Sequence, residues 1–362
     1  MAHGLNTTNG KVSMFYYGEK PWHELGQEAT EPVRTWEEMC ELAGIGYDVG
    51  LVPNWIHVGG EYREAGSCST IRTDTGEILG NKLGPNYQPI QNVEAFNFLN
   101  NVAAEHGIEF HTAGALGAGE RIWLMARIPG NMKLGKGKGA KDEVEKNLLL
   151  YNRHDGFKAM TAFWTPVRVV CANTVRAALQ GRNGEGIVIR HSGEIERKIQ
   201  QAQRLLGLGV RYYDVIEPLL QTFASTKLNA SQAKAYFASL YPDPEGEDSD
   251  KPSRKGQTQQ AARELLESLF DGKGIGLDMP SVKHTAWAAY NAVTEYTDHY
   301  TSVYSAKEAK APLRSDKGAA AKLERMWFGD LCSQKQAAFE KACELCEVEI
   351  PKAALLYAGS AN

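Results

Sequence analysis

The spacing of the apolar residues changes once along this chain, near residue 192, and that change sets the class of fold it can reach. Before it, apolar residues come in short runs that alternate with polar ones and are broken by glycine and turn residues, the pattern of β-strands. After it they recur at helical spacing, in segments near 192–223, 230–240, 257–270, 281–304 and 317–347. Strands gathered in one half and helices in the other predict an α+β fold rather than an alternating parallel one. We expect an antiparallel, β-rich α+β domain over residues 1–191 and a helical region over 192–362. With 362 residues, 43% hydrophobic and 23% charged, the chain can build a sizeable core and is neither disordered nor fibrous.

Local signals fill in this outline. Thr35 and Glu38 have the S/T-x-x-E spacing of a capping box, so a short helix should start there and stop at Gly44. Between residues 46 and 84 the stretches 47–58, 69–72 and 77–83 read as strands, with Thr73-Asp74-Thr75-Gly76 as a turn. Asn92 is placed to cap an amphipathic helix carrying Val93, Phe96, Leu99, Val102 and Ala103, ended by Gly107. The result is a β-β-β-α core order. Residues 108–115 and 121–128 read as a hairpin, 130–141 as a flexible basic loop, and 145–151 and 158–171 as two strands joined at Asp155-Gly156. A short helix from Asn173 or Thr174 to Leu179 and a strand at 187–190 complete this part, and 241–256 reads as a surface loop.

The net charge of −4 is unevenly spread. Residues 1–100 hold six Lys and Arg against thirteen Asp and Glu, whereas 101–200 hold fifteen against ten. A basic segment, 121–190, therefore sits inside an otherwise acidic chain and points to a polyanionic partner, unless loop charges vary here by chance. No run of about 18 apolar residues occurs, so no membrane span is expected. Residues 1–26 lack the apolar stretch of a secretory signal. Six cysteines are too few to staple a chain this long, which fits a reduced, cytoplasmic setting.

Motifs of covalent chemistry are scarce. No GxxxxGK[ST], HExxH or GxSxG pattern occurs, and the Gly-Lys repeat at 135–139 lacks the strand-to-helix context of a phosphate loop. Cys343-Glu344-Leu345-Cys346 is a single CxxC inside a helix and reads as packing rather than zinc or redox chemistry. His154 and Asp155 invite an acid–base reading, although Asp155-Gly156 is also explained as a turn. Asn291, Glu295, Asp298 and His299 share one helix face, expected in a buried hydrogen-bond network or a subunit contact. Nothing requires a cofactor or metal.

The densest stretch comprises YNRHDG (151–156) and TPVRVVCANT (165–174). Around it Arg153, Lys158, Arg168, Arg176 and Arg190 interleave with Phe157, Phe163 and Trp164. Cations bind phosphates and aromatic faces stack on unpaired bases, which together make a single-strand binding surface. The alternative places the aromatics in the core and pairs the arginines, because alternation along a strand leaves open which side is wet.

The segments PWHELG (21–26), RTDTGEILG (72–80), YQPIQNVEAF (87–96), RHDG (153–156), TPVRVVCANT (165–174) and TAWAAYNAVTEYTDH (285–299) resemble the phage/plasmid-like family that carries the domain of unknown function numbered 932. That resemblance implies a phage, prophage or plasmid setting and assigns no activity. The β-β-β-α order is similar to the core of phage single-strand annealing proteins of the Redβ, RecT and Erf type. This second resemblance implies a homo-oligomeric protein that binds single-stranded DNA and promotes annealing without covalent chemistry. On that expectation Arg121, Arg127, Arg153, Lys158, Arg168, Arg176 and Arg190 contact phosphates, and Trp164 or Phe157 stacks on bases. Lys133, Lys136, Lys138 and Lys141 then close over the strand. Two other readings stand beside it. One is a protein-binding effector of a mobile element, such as an inhibitor of host defence, whose acidic first hundred residues and acidic loop 243–250 suit a basic host protein. The other is a hydrolase or nuclease using His154 and Asp155.

Overall fold

A computed structural model describes residues 5–8, 10–18, 25–137, 139–168, 187–200, 212–248, 251–301, 325–327 and 329–350. In chain order the first part contains β1 (Thr7–Thr8), β2 (Lys11–Val12), β3 (Met14–Tyr17), β4 (Gln27–Ala29), α1 (Trp36–Ala43), β5 (Val49–Val58), β6 (Glu61–Arg72), β7 (Ile78–Leu83) and α2 (Asn92–His106). It continues with β8 (Glu109–Leu116), β9 (Arg121–Leu134), β10 (Asp142–Arg153), β11 (Met160–Arg168) and β12 (Ile187–Ile189). The second part holds α3 (Tyr212–Ser225), α4 (Ala230–Leu240), α5 (Arg254–Ser268), α6 (Ala286–Glu295) and α7 (Asp330–Leu345). The α+β class and the order β5-β6-β7-α2 are as the sequence predicts.

Capping chemistry sets several of these boundaries. The Thr35 hydroxyl accepts the Glu38 N–H at 3.4 Å, and Gly44 closes α1 in the left-handed region (φ 63°). At α2 the cap is Gln91 rather than the expected Asn92: Glu94 Oε2 accepts the Gln91 N–H at 3.0 Å, and Asn92 turns inward. The expected loop over 130–141 shrinks, because β9 runs on to Leu134 and β10 begins at Asp142. What remains is tied to its surroundings. Lys141 Nζ donates to the carbonyls of Gly135 (2.6 Å) and Gly137 (3.1 Å), and the Lys136 N–H reaches Ser281 O. A Cβ on Gly135 would lie 2.7 Å from Ser281, so only glycine fits there. The strands β1–β4 were not anticipated. Residues 169–186, including the expected helix at 173–179, lie outside the described residues.

The main sheet has the order β12-β11-β10-β9-β8-β3-β4 and is antiparallel apart from the β3–β4 pair. Strands β5-β6-β7 form a separate antiparallel sheet. Both sides of the main sheet are covered. Leu148, Leu150, Ala162 and Trp164 join Phe15, Met39, Phe96, Tyr213, Trp287 and Phe339 in the larger core, which thus includes side chains from before and after residue 191. Leu149, Tyr151 and Phe163 join Met14, Leu116, Trp123 and Trp327 in a smaller cluster on the opposite side.

Every residue of α6 is buried, and most of its polar side chains are hydrogen-bonded within the protein, with Asn291 Oδ1 left unpartnered. Trp287 Nε1 donates to Asp142 at 2.6 Å, Asn291 Nδ2 to Trp287 O at 2.8 Å, and the Ile275 N–H to Glu295 at 3.0 Å. In the π turn Tyr296–Tyr300 that prolongs α6, Asp298 accepts from Lys335 of α7 at 2.9 Å. The polar face predicted at 291–298 is therefore a buried network, with His299 exposed at its end.

A polar and aromatic face of the main sheet

Strand register decides which side chains share a face, since residues directly opposite one another point the same way. On the side away from the larger core the pairing builds successive rows. Arg121 lies opposite Arg153, Trp123 opposite Tyr151 and Tyr151 opposite Thr161. Then come Met125, Leu149 and Phe163, followed by Arg127, Asn147 and Thr165. His111 of β8 reaches the last row, with Arg127 Nη2 donating to its Nε2 at 3.3 Å. Rows two residues apart are about 6.6 Å from one another. The face therefore reads, in order, cationic, aromatic, apolar, then polar.

This face concentrates buried polar atoms without partners. Among the described residues, Trp123 Nε1, Arg127 Nε, His111 Nδ1, Asn147 Oδ1 and Thr165 Oγ1 are all buried and make no hydrogen bond. Since His111 Nε2 accepts from Arg127, its proton sits on Nδ1, and three unused N–H donors face this side. Burial and the Arg127 charge lower the His111 pKa to about 4, so the ring is neutral at neutral pH. Trp327 covers the aromatic row, its ring centroid 6.4 Å from that of Trp123 and 5.7 Å from that of Tyr151.

The cations of the face have carboxylate neighbours. Arg121 pairs with Glu120 at 2.8 Å, Arg127 with Glu145, Arg153 with Asp155, and Lys133 more loosely with Glu143 at 3.8 Å.

At the end of the sheet where β9 and β11 begin and β10 and β12 finish, topology gathers Arg121, Arg153, Lys158 and Arg190. Phe157 stands 84% exposed there, with the Arg153 guanidinium 5.5 Å from its ring centroid. The turn that carries it is rigidly backed by the small sheet. Thr70 Oγ1 donates to His154 O at 2.6 Å, and a Cβ on Gly80 would fall 2.6 Å from Asp155 Cα. The Tyr87 ring stacks on His191 at 5.1 Å. His154 is fully buried, and its Nε2–H donates to Asn92 Oδ1 at 2.8 Å, since the Asn92 amide is spent on Ile45 O. Burial lowers the pKa of His154 to about 3 and of His191 to about 4. His154 is thus sealed from substrate, and Asp155 is engaged with Arg153.

The other expected residues fall as follows. Trp164 is only 7% exposed and packs edge-on against Tyr213 in the larger core, so it offers no surface for a base, and Phe157 is the exposed aromatic of the two. Lys133, Lys136 and Lys141 stand at the opposite end of the sheet, and Lys141 is spent on its own loop. Arg168 ends β11 opposite Val144, with its side chain outside the described part. Lys138 and Arg176 lie outside the described residues. Trp123, Asn147, Thr165 and His111 were missed, although the parity of β9, β10 and β11 relative to Arg127 carried the signal. Cys343 and Cys346 lie at the end of α7, and burial pushes the Cys343 thiol up to about 12, as expected of packing residues. Among the described residues no cluster of His, Cys, Asp or Glu could hold a metal, and no helix is long and apolar enough to cross a membrane.

The fold and this face define an α+β protein distinguished by a largely buried polar and aromatic sheet face. Residues 81–327, more than half of the chain, match the family model described as Domain of unknown function (DUF932), and the chain belongs to that family. No curated protein and no solved structure matches it.

Proposed function

We propose that this face binds a single nucleic-acid strand, and that the protein acts in the cytoplasm, for a mobile element, as a single-stranded DNA-binding protein that promotes annealing. The observation that supports it is the group of five unpartnered buried polar atoms in and beside the aromatic rows, flanked by Arg121, Arg127 and Arg153. Leaving such atoms unpaired costs free energy; acceptors on base edges or phosphates would satisfy the Trp123, Arg127 and His111 N–H groups and the Thr165 hydroxyl, and a base amino group would satisfy Asn147 Oδ1. Trp123 and Tyr151 are buried beneath Trp327 and supply stacking surface only once that ring moves away, and exposed Phe157 with Lys158 and Arg190 extends the path at the sheet end. Trp327 occupies the stacking position in the free protein and gives way to a base. Because each cation of the face has a carboxylate neighbour, affinity rests on stacking and hydrogen bonds more than on charge.

Fluorescence anisotropy with labelled single-stranded and duplex DNA, over about 50–300 mM salt, tests this. Preference for single strands with a shallow salt slope supports the reading, and no binding at the lowest salt overturns it. The neutralised cations favour one second reading, a protein-binding effector of a mobile element. It predicts passage through a single-stranded DNA column and capture of a host protein.

A further inference from the structure

Three side chains outside the strand-binding face end in buried polar atoms without partners: Asn152 Oδ1, His154 Nδ1 and His191 Nε2. Asn152 and His154 have no exposed surface, and His191 is 7% exposed. Register sets all three on the larger-core side of the main sheet. Asn152 and His154 continue the parity of Leu148 and Leu150 along β10, and His191 continues that of Ile187 and Ile189 along β12. Strand β11, which lies between β10 and β12, begins only at Met160, opposite Ile189. One row beyond it, His154 and His191 flank a gap two strand spacings wide, about 9.6 Å between backbones. His154 keeps its place there through its N–H, which donates to Glu120 O at 2.8 Å.

Residues 88–92 hold the three side chains together. The Gln88 N–H donates to His191 O at 2.9 Å, and the Ile90 N–H to His191 Nδ1 at 3.4 Å. The Ile90 carbonyl accepts from Asn152 Nδ2 at 3.2 Å, and Asn92 Oδ1 accepts from His154 Nε2 at 2.8 Å. Beyond the effect of burial, the His191 charge lowers the pKa of His154, so the two rings are neighbours. These bonds fix what each remaining atom can do. His154 donates its ring proton to Asn92, so its Nδ1 presents a lone pair. Asn152 donates its amide to Ile90, so its Oδ1 presents another. His191 accepts at Nδ1, so its Nε2 carries the proton and is a donor.

We propose that one water molecule binds in this gap, donating to His154 Nδ1 and Asn152 Oδ1 and accepting from the His191 Nε2–H. About three hydrogen bonds are the usual complement of a buried water. The same pattern excludes small ions, because a cation meets the His191 N–H and an anion meets two lone pairs. The water joins the end of β10 to the end of β12 and to residues 88–92, and so braces the turn after His154 that carries Phe157. The inference is independent of strand binding by the main sheet.

A crystal structure of the full chain tests it. A peak should lie about 2.7–3.2 Å from all three atoms. A peak about 2.0–2.1 Å from the two ring nitrogens is a metal ion, and that result, or no peak at all, overturns the proposal. In solution, spectra of the chain carrying nitrogen-15 histidine at about pH 7 should show both rings neutral and protonated at Nε2, with the His191 Nε2–H in contact with a bound water. His191→Asn, which keeps an acceptor for the Ile90 N–H, identifies that signal by its loss. A proton on Nδ1 of either ring overturns the proposal. Equimolar Zn²⁺ and excess EDTA should each leave the melting temperature unchanged, and a rise with Zn²⁺ that EDTA reverses replaces the water by a metal.

Discussion

Replacing Thr165 by Val separates what the polar row costs from what it does. The two side chains have the same shape and the same preference for strands, so the substitution changes one hydroxyl into one methyl. Thr165 is buried, and its Oγ1 makes no hydrogen bond within the protein. A buried hydroxyl left unpaired costs about 1–3 kcal/mol, so Thr165→Val should stabilise the fold by about 1–2 kcal/mol. For a chain of this size that is a rise in melting temperature of roughly 2–4 °C. If the hydroxyl is held in reserve for a ligand, affinity for single-stranded DNA should fall at the same time by about fivefold, the equivalent of about 1 kcal/mol. Thr165→Ser, which keeps the hydroxyl, should retain that affinity. Thermal melts and anisotropy titrations on the same preparations supply both numbers. A lower melting temperature for Thr165→Val would refute the unpaired hydroxyl, and unchanged affinity would refute its role in binding.

Four further outcomes follow from the geometry. Trp327→Ala should raise single-strand affinity by uncovering Trp123 and Tyr151, while melting at a lower temperature for loss of a buried aromatic, as paired titration and melting would show. Gly80→Ala should destabilise by about 1–3 kcal/mol in denaturant titrations, because the added methyl meets the backbone of Asp155 and His154 rather than a side chain that can swing away. His154 and His191 have folded pKa values near 3 and 4, below the usual 6.5, so the unfolded chain binds more protons over that range. Stability should be full above pH 6.5 and lost as pH falls, by about 3 kcal/mol per histidine at pH 4, measurable as a falling urea midpoint. Lys335→Met strands the buried Asp298 carboxylate and should cost about 3–5 kcal/mol, much of it recovered in Lys335→Met/Asp298→Leu if pairing rather than packing is responsible.

Much of the local structure was legible in the sequence. The cap at Thr35, the stops at Gly44 and Gly107, the turn at 73–76 and the extent of α4 each follow from a few adjacent residues, because capping and turn chemistry act over a single turn of chain. The failures are also physical. Gln91 displaced Asn92 as a cap because Asn92 was needed inside, against Ile45 and His154, a demand set by residues far away in sequence. The 130–141 loop looked free because lysine and glycine are the composition of loops, yet Ser281 and Gln221 from the helical part hold its backbone.

The sequence by itself determined the class of fold, the order of elements and most of their ends, since periodicity and caps are properties of neighbours along the chain. Tertiary structure alone decided the faces. Strands β10 and β11 are apolar on both sides, so alternation could not tell Trp164, which enters the larger core, from Phe163 and Thr165, which do not. Register then set Arg127, Asn147 and Thr165 in one row and gave Arg121, Arg127 and Arg153 their carboxylates. Those pairings join strands through space, and a side chain's partner across a sheet is fixed only when the sheet closes its register.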